Sequence, residues 1–242
     1  LNINKNFGFS KAKNKYVLNL DADERVTPAL KKEINNLIKA EKLNKDGYLI
    51  PRKNIIFGKW IKHSLWWPDY QLRLFKKDKG RFAEEHVHEK IVISGKIKKL
   101  KNPILHYNYQ TISQFIQKMD NIYTENEAGI LAKKDLKWTD AIKRPASDFV
   151  KTYFSQKGYK DGIHGLVLSV LQSFYSFVVF AKAWEKKEFI DLEVKNPLKN
   201  VEKQFENFSK ERKYWIYEQK INETRNYIVK IFLKIKRKLL LL

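Results

Sequence analysis

A short apolar run, Tyr16 to Leu20, ends in two carboxylates one residue apart, Asp21 and Asp23. Such a run predicts a buried strand. In open α/β sheets, ligands gather where strands end at their carboxyl edge. Two carboxylates there lose solvation and repel each other, so a cation is a physical reason to set them together. Mg²⁺ or Mn²⁺ suits hard oxygen ligands, takes one or two carboxylates and fills its shell with water and substrate phosphates. The pair therefore reads as a metal site for a diphosphate-bearing substrate, with Asp23 the direct ligand. The plain alternative is a solvated turn ahead of a helix. Thr27-Pro28 does cap a predicted helix with Leu30, Ile34, Leu37 and Ile38 on one face.

The chain carries 49 Lys and Arg against 27 Asp and Glu, a formal charge of +22. That excess points to an anionic partner, unless it reflects only a lysine-rich composition. The lysines are diffuse, and no arginine-rich run occurs. An anionic membrane surface fits this pattern at least as well as sequence-specific nucleic-acid reading, and nucleic acid is the disfavoured partner. There is no cysteine, which excludes disulfides and thiolate metal sites. The single methionine is Met119. We expect an upstream portion ahead of Leu1, with a non-standard start as the alternative.

Residues 1–110 read as α/β. Strands are predicted at Gly47–Pro51, at Tyr70–Phe75 with strict alternation, at Val87–Ile93 and at Ile104–Tyr107. Asn54–Phe57 continues extended toward Gly58, Trp60–Trp67 reads as a loop, and Asp78-Lys79-Gly80 as a turn. Residues 111–195 read as helical, with a cap at Thr111 or Ser113 and Pro145 near a helix start. Within them, 163–181 carries no formal charge. An interfacial or re-entrant helix is the preferred reading, ahead of a buried core helix and a spanning one. Residues 196–242 form a basic tail. From residue 198 it reads as one long helix with Ile221, Ile228, Phe232, Ile235 and Leu239 along one face. That pattern suits an anionic membrane surface; a homo-oligomer held by a coiled-coil contact is the alternative.

Several blocks, taken in order, resemble the family-2 glycosyltransferases, in the branch around lipopolysaccharide-core glucosyltransferases. They are Asn4-Lys5-Asn6-Phe7, Leu20-Asp21-Ala22-Asp23-Glu24-Arg25-Val26 and Gly47-Tyr48-Leu49-Ile50-Pro51-Arg52. Then come Trp67-Pro68-Asp69-Tyr70-Gln71-Leu72-Arg73-Leu74-Phe75, Val87-His88-Glu89, Ile104-Leu105-His106-Tyr107 and the stretch from Gly158 to Trp184. The resemblance implies a GT-A-like, Rossmann-related mixed sheet. It also implies transfer of a sugar, usually with inversion, from a nucleotide diphosphate-sugar to a lipid-linked or cell-envelope glycan. In that family a mononucleotide-binding half precedes the Asp-x-Asp strand. Only twenty residues precede Asp21 here, so that first half is expected to be lacking from this chain.

An inverting transfer needs a base near the acceptor hydroxyl and a cation near the leaving diphosphate. Glu89 is the predicted base, with Glu84 and Glu85 as rivals, and His88 is placed to orient Glu89 or the acceptor. His106 ends an apolar strand and is either a third metal ligand or a hydrogen-bonded structural residue. Asp69, Gln71 and Arg73 alternate on one strand face and are assigned to substrate, with a structural Asp-Arg pair as the alternative. Trp66 and Trp67 stack on a sugar or, more simply, pack. The expectation is a Mg²⁺- or Mn²⁺-dependent hexosyltransferase on the cytoplasmic face of the membrane. The alternative is a catalytically incomplete membrane or nucleic-acid-binding module.

Overall fold

The computed structural model describes residues 2–83 and 90–240. The chain divides into two compact units, one holding residues up to Lys62 with Trp66–Gln110, the other His63–Leu65 with residues from Thr111 onward. The first is mixed α/β and the second is helical.

In the first unit, α1 (Asn2–Lys11) leads into β1 (Tyr16–Leu18), β2 (Glu24–Val26) and α2 (Pro28–Lys39). Then follow β3 (Gly47–Ile56), β4 (Lys59–Trp60), β5 (Asp69–Lys76), β6 (Gly80–Arg81), β7 (Val92–Ile93), β8 (Ile97–Lys99) and β9 (Ile104–Tyr109). The main sheet runs β1-β5-β3-β9-β2, with β4 and β8 added alongside β3. It is mixed: β3 is antiparallel to β5 and parallel to β8 and β9. β1 and β2 occupy opposite ends of this order, yet only residues 19–23 join them. Four strand spacings of about 4.8 Å, some 19 Å, nearly exhaust the roughly 20 Å reach of six Cα steps. A turn within that segment, Glu24 N–H to Asp21 O at 3.0 Å, leaves no such reach, so the sheet has to curl.

Side-chain alternation separates two layers. Tyr16, Leu18, Tyr48, Ile50, Leu74 and Ile104 pack with Leu30 of α2 and its partly buried Ile34 and Leu37. Val17 and Phe75 point the other way, to Phe9 of α1 and Phe82. The α2 cap is as read: the Thr27 hydroxyl accepts from Leu30 N–H at 3.2 Å and donates to Pro103 O at 2.7 Å.

Some element boundaries differ from the sequence reading. β1 stops at Leu18; Asn19 N–H still reaches Arg73 O at 2.8 Å, but Leu20 turns outward. The two segments predicted around Pro51 are one strand. Leu49 O accepts from Leu100 N–H beyond the end of β8, and Pro51 faces the same side, where pairing passes from β8 to β9 and no ladder bond is forfeited. Trp60 belongs to a short strand paired with Ile55 rather than to a loop. Of the predicted strand Val87–Ile93, β7 is the described part, and Val87–Glu89 lie outside the described residues. No apolar periodicity announced α1, since it buries only Asn2 and Phe9.

The second unit contains α3 (Ile112–Lys118, capped by Thr111), α4 (Thr124–Ala132), α5 (Asp140–Phe149), α6 (Ile163–Glu185), α7 (Pro197–Glu223) and α8 (Tyr227–Leu239). Pro145 lies inside α5 instead of near its start; its missing N–H is offset by packing of α5 on α6. The apolar segment forms α6, long and apolar enough to cross a membrane by length and composition, with a third of its apolar window buried within the protein. The predicted single tail helix is two. Thr224 is extended, and the Asn226 carboxamide accepts from Ile228 and Val229 N–H at 3.0 and 3.2 Å, starting α8 anew.

Thr27→Ala removes both hydroxyl bonds of the α2 cap. We expect a loss of about 1–2 kcal/mol, read as a lower urea midpoint at unchanged slope.

Candidate functional site

Residues 48, 50, 52 and 54 of β3 share a face. Tyr48 and Ile50 form core, whereas Arg52 and Asn54 begin a polar network. Its centre is Glu24, whose side chain is fully buried. Arg73 Nη2 donates to Glu24 Oε1 at 2.6 Å, Arg52 Nη1 lies 3.8 Å from the same oxygen, and Asp21 N–H donates to Oε2 at 3.1 Å. Arg73 owes its position to a bulge in β5. Tyr48 pairs with Leu74 and Leu49 with Leu72, so Arg73 is the extra residue and its side chain is re-aimed.

Asp21 is held on both sides, by Arg73 at Oδ2 and by Lys5 of α1 at Oδ1, 2.5 Å away. Burial alone would raise its carboxyl, but the Lys5 hydrogen bond and the Arg73 charge outweigh it and hold Asp21 below the ordinary carboxylate range. Burial would likewise lower Arg73, and the charges of Glu24 and Asp21 reverse this, locking the guanidinium in its charged form.

Asp23 has a different environment. Its side chain is 39% exposed, and Oδ2 lies 3.6 Å from His106 Nε2. His106 is buried, and its Nδ1 is 2.6 Å from Asn54 Oδ1. Asn54 Nδ2 donates to Trp66 O at 2.8 Å, which fixes the carboxamide with its oxygen toward the imidazole. Nδ1 must then carry the hydrogen, and in the neutral ring Nε2 turns a lone pair toward Asp23. A carboxylate plus an imidazole oriented by a carboxamide is a donor set that Mg²⁺ or Mn²⁺ accepts.

The predicted stripe on β5 is divided by the bulge. Gln71 Nε2 donates to Asp69 Oδ1 at 2.7 Å, and Asp69 Oδ2 pairs with Arg52 Nε at 2.7 Å across the strand pair. Arg73 pairs instead with Asp21 and Glu24. Trp67 packs edge-on to Trp60, ring centroids 5.3 Å apart, and precedes a cis bond to Pro68. Trp66 meets Tyr109 edge-on at 6.5 Å. Asp21, Asp23 and His106 do not form a three-ligand set: among the described residues, no group of three His, Cys, Asp or Glu is placed to hold a metal ion. The predicted base Glu89, its rivals Glu84 and Glu85, and His88 lie outside the described residues.

Lys5, Glu24, Arg52 and Asn54 carry no assigned role from sequence, although three of them fall within the motif blocks and Asn54 just beyond one. A glutamate next to an Asp-x-Asp pair resembles more of the same acidic turn; only its burial separates it. Among the described residues, the buried Asn19 Nδ2 and Arg73 Nε have no hydrogen-bond partner. Such donors gain from an oxygen-rich ligand.

Several known proteins similar to this chain are glycosyltransferases. An uncharacterized glycosyltransferase of Rickettsia typhi is 29% identical over 75% of this chain and 66% of its own length. The lipopolysaccharide core biosynthesis glycosyltransferase LpsC of Rhizobium meliloti is 25% identical over 75% of this chain and 68% of its own. An uncharacterized glycosyltransferase of Rickettsia conorii is 27% identical over 85% and 76%. The chain thus spans about two thirds of the length of the first two relatives. No family model matches the chain. No solved structure matches it either.

Glu24→Gln keeps shape and removes charge, leaving the buried Arg73 with Asp21 as its remaining carboxylate partner. We expect a loss of about 3 kcal/mol in denaturant unfolding. The lowered pKa of Asp21 makes its contribution complete above pH 3.8, and it is lost as pH falls through the folded value. Asp21→Asn should therefore be less stable at neutral pH and should lose less stability than wild type on acidification below pH 3.8, as measured by thermal unfolding against pH.

Proposed function

We propose that this chain carries the cation- and acceptor-binding part of a family-2, GT-A-type glycosyltransferase, moving a sugar with inversion from a nucleotide diphosphate-sugar to a cell-envelope glycan. The observation that carries this reading is the Asp23–His106 pair, a carboxylate oxygen and an imidazole nitrogen 3.6 Å apart where His106 of β9 meets the start of β2. The names of the relatives support sugar transfer, and that of LpsC supports a lipopolysaccharide-core type of acceptor.

A bound Mg²⁺ or Mn²⁺ would offset the charge that develops on the leaving diphosphate. Asp23 and His106 would hold it, with Asn54 orienting His106. Asp21 differs from Asp23: with both oxygens committed to Lys5 and Arg73, it positions the turn that presents Asp23. Asp69 and Gln71, braced by Arg52, offer hydrogen-bonding groups to a sugar, with Trp67 beside them in sequence. Glu89 is assigned as base, with His88 next to it, on sequence alone.

Mn²⁺ binding to the chain, followed by electron paramagnetic resonance, tests the site directly. Asp23→Ala and His106→Ala should each weaken it by roughly tenfold or more. Turnover of nucleotide diphosphate-sugars should fall in parallel, while Asp23→Ala, at a half-exposed position, keeps the cooperative thermal unfolding of the wild type. Mn²⁺ affinity equal to wild type in Asp23→Ala would overturn the assignment.

A further inference from the structure

α8 is packed the wrong way round for a helix that serves only its own chain. Ile228, Phe232, Ile235 and Leu239 recur at spacings of four, three and four and form one stripe. Their exposures are 78, 54, 54 and 62%. The half-buried side consists of Lys230, Leu233 and Arg237. Arg237 pairs with Glu218 of α7, and its guanidinium lies 5.3 Å from the Tyr214 ring centroid. The contact with α7 thus grips the charged side and turns the apolar stripe outward. No residue of α8 is buried.

The rim of that stripe identifies its partner. α8 carries Lys230, Lys234, Lys236, Arg237 and Lys238 and no acidic residue. Lys236 and Lys238 flank the stripe on either side, and the Lys236 ammonium sits 4.5 Å over the Phe232 ring. Lysines whose stems lie along an apolar stripe keep their heads in the headgroup layer while the stripe enters the acyl boundary. A second α8 would bring like charges face to face. A nucleic acid would pair the lysines and leave the stripe in water. We propose that α8 is a membrane-surface anchor that inserts Ile228, Phe232, Ile235 and Leu239 into an anionic bilayer, with Arg237–Glu218 holding the stripe outward.

The test is vesicle co-sedimentation of the full chain, independent of any sugar-transfer or metal-binding readout, so this inference and the proposed function fail separately. The chain should partition at least about tenfold more strongly into phosphatidylcholine vesicles containing phosphatidylglycerol than into phosphatidylcholine alone, and salt should weaken the difference. Phe232→Ser with Ile235→Ser should lower binding by about tenfold or more. Lys234→Gln, Lys236→Gln and Lys238→Gln together should erase the preference for anionic vesicles. Both variants alter exposed side chains and should unfold thermally as wild type does. Undiminished vesicle binding by the Phe232/Ile235 variant would overturn the inference. So would a sedimenting dimer that this variant converts to monomer.

Discussion

Burying a carboxylate is costly unless cations and hydrogen bonds replace the water it has lost, and at Glu24 Arg73, Arg52 and the Asp21 N–H do so. These partners come from β5, β3 and the turn before β2. In sheet order β5 and β2 are separated by β3 and β9, so the Glu24–Arg73 pair spans the sheet face from β5 to the end strand β2. The taut link between β1 and β2, the curl of the sheet and the bulge at Arg73 are mutually consistent with that one ion pair. The Asp21–Asp23 turn is held as well by Lys5 and Arg73 on the Asp21 carboxylate and by the Tyr107 N–H, which donates to Asp23 O at 2.9 Å.

The turn also divides two carboxylates that are nearly adjacent in sequence. In an extended segment Asp21 and Asp23 would point the same way. The Glu24 N–H to Asp21 O bond folds the segment, and the two side chains diverge. One is drawn into the cationic cluster, and the other is presented at the surface beside His106. The first sustains the architecture, and the second lies against the imidazole of β9.

Much of the first unit was legible because burial leaves periodic marks. The alternation from Tyr70 to Phe75, the Thr27-Pro28 cap and the apolar run at Tyr16 all became elements close to where they were read. Pro51 misled because its tolerance depends on which edge of β3 is left without a ladder partner, a fact about neighbours and not about the local sequence. α1 left no mark because it buries so few of its side chains. In the second unit the tail's amphipathic pattern was visible, but a continuous pattern cannot report that Asn226 restarts the helix or which side of α8 meets α7.

Residue types and spacing drew attention to the Asp-x-Asp pair, Asp69 and Gln71, His106 and the basic tail, because each is a local pattern of charge and hydropathy. They could not apportion roles among like groups. Whether Asp21 or Asp23 is quenched, whether Glu24 lies inside or out, and which imidazole nitrogen bears the hydrogen depend on residues up to about fifty positions away in sequence. Electrostatic energies are set by distance and burial in space, and both are known only once the strands have paired.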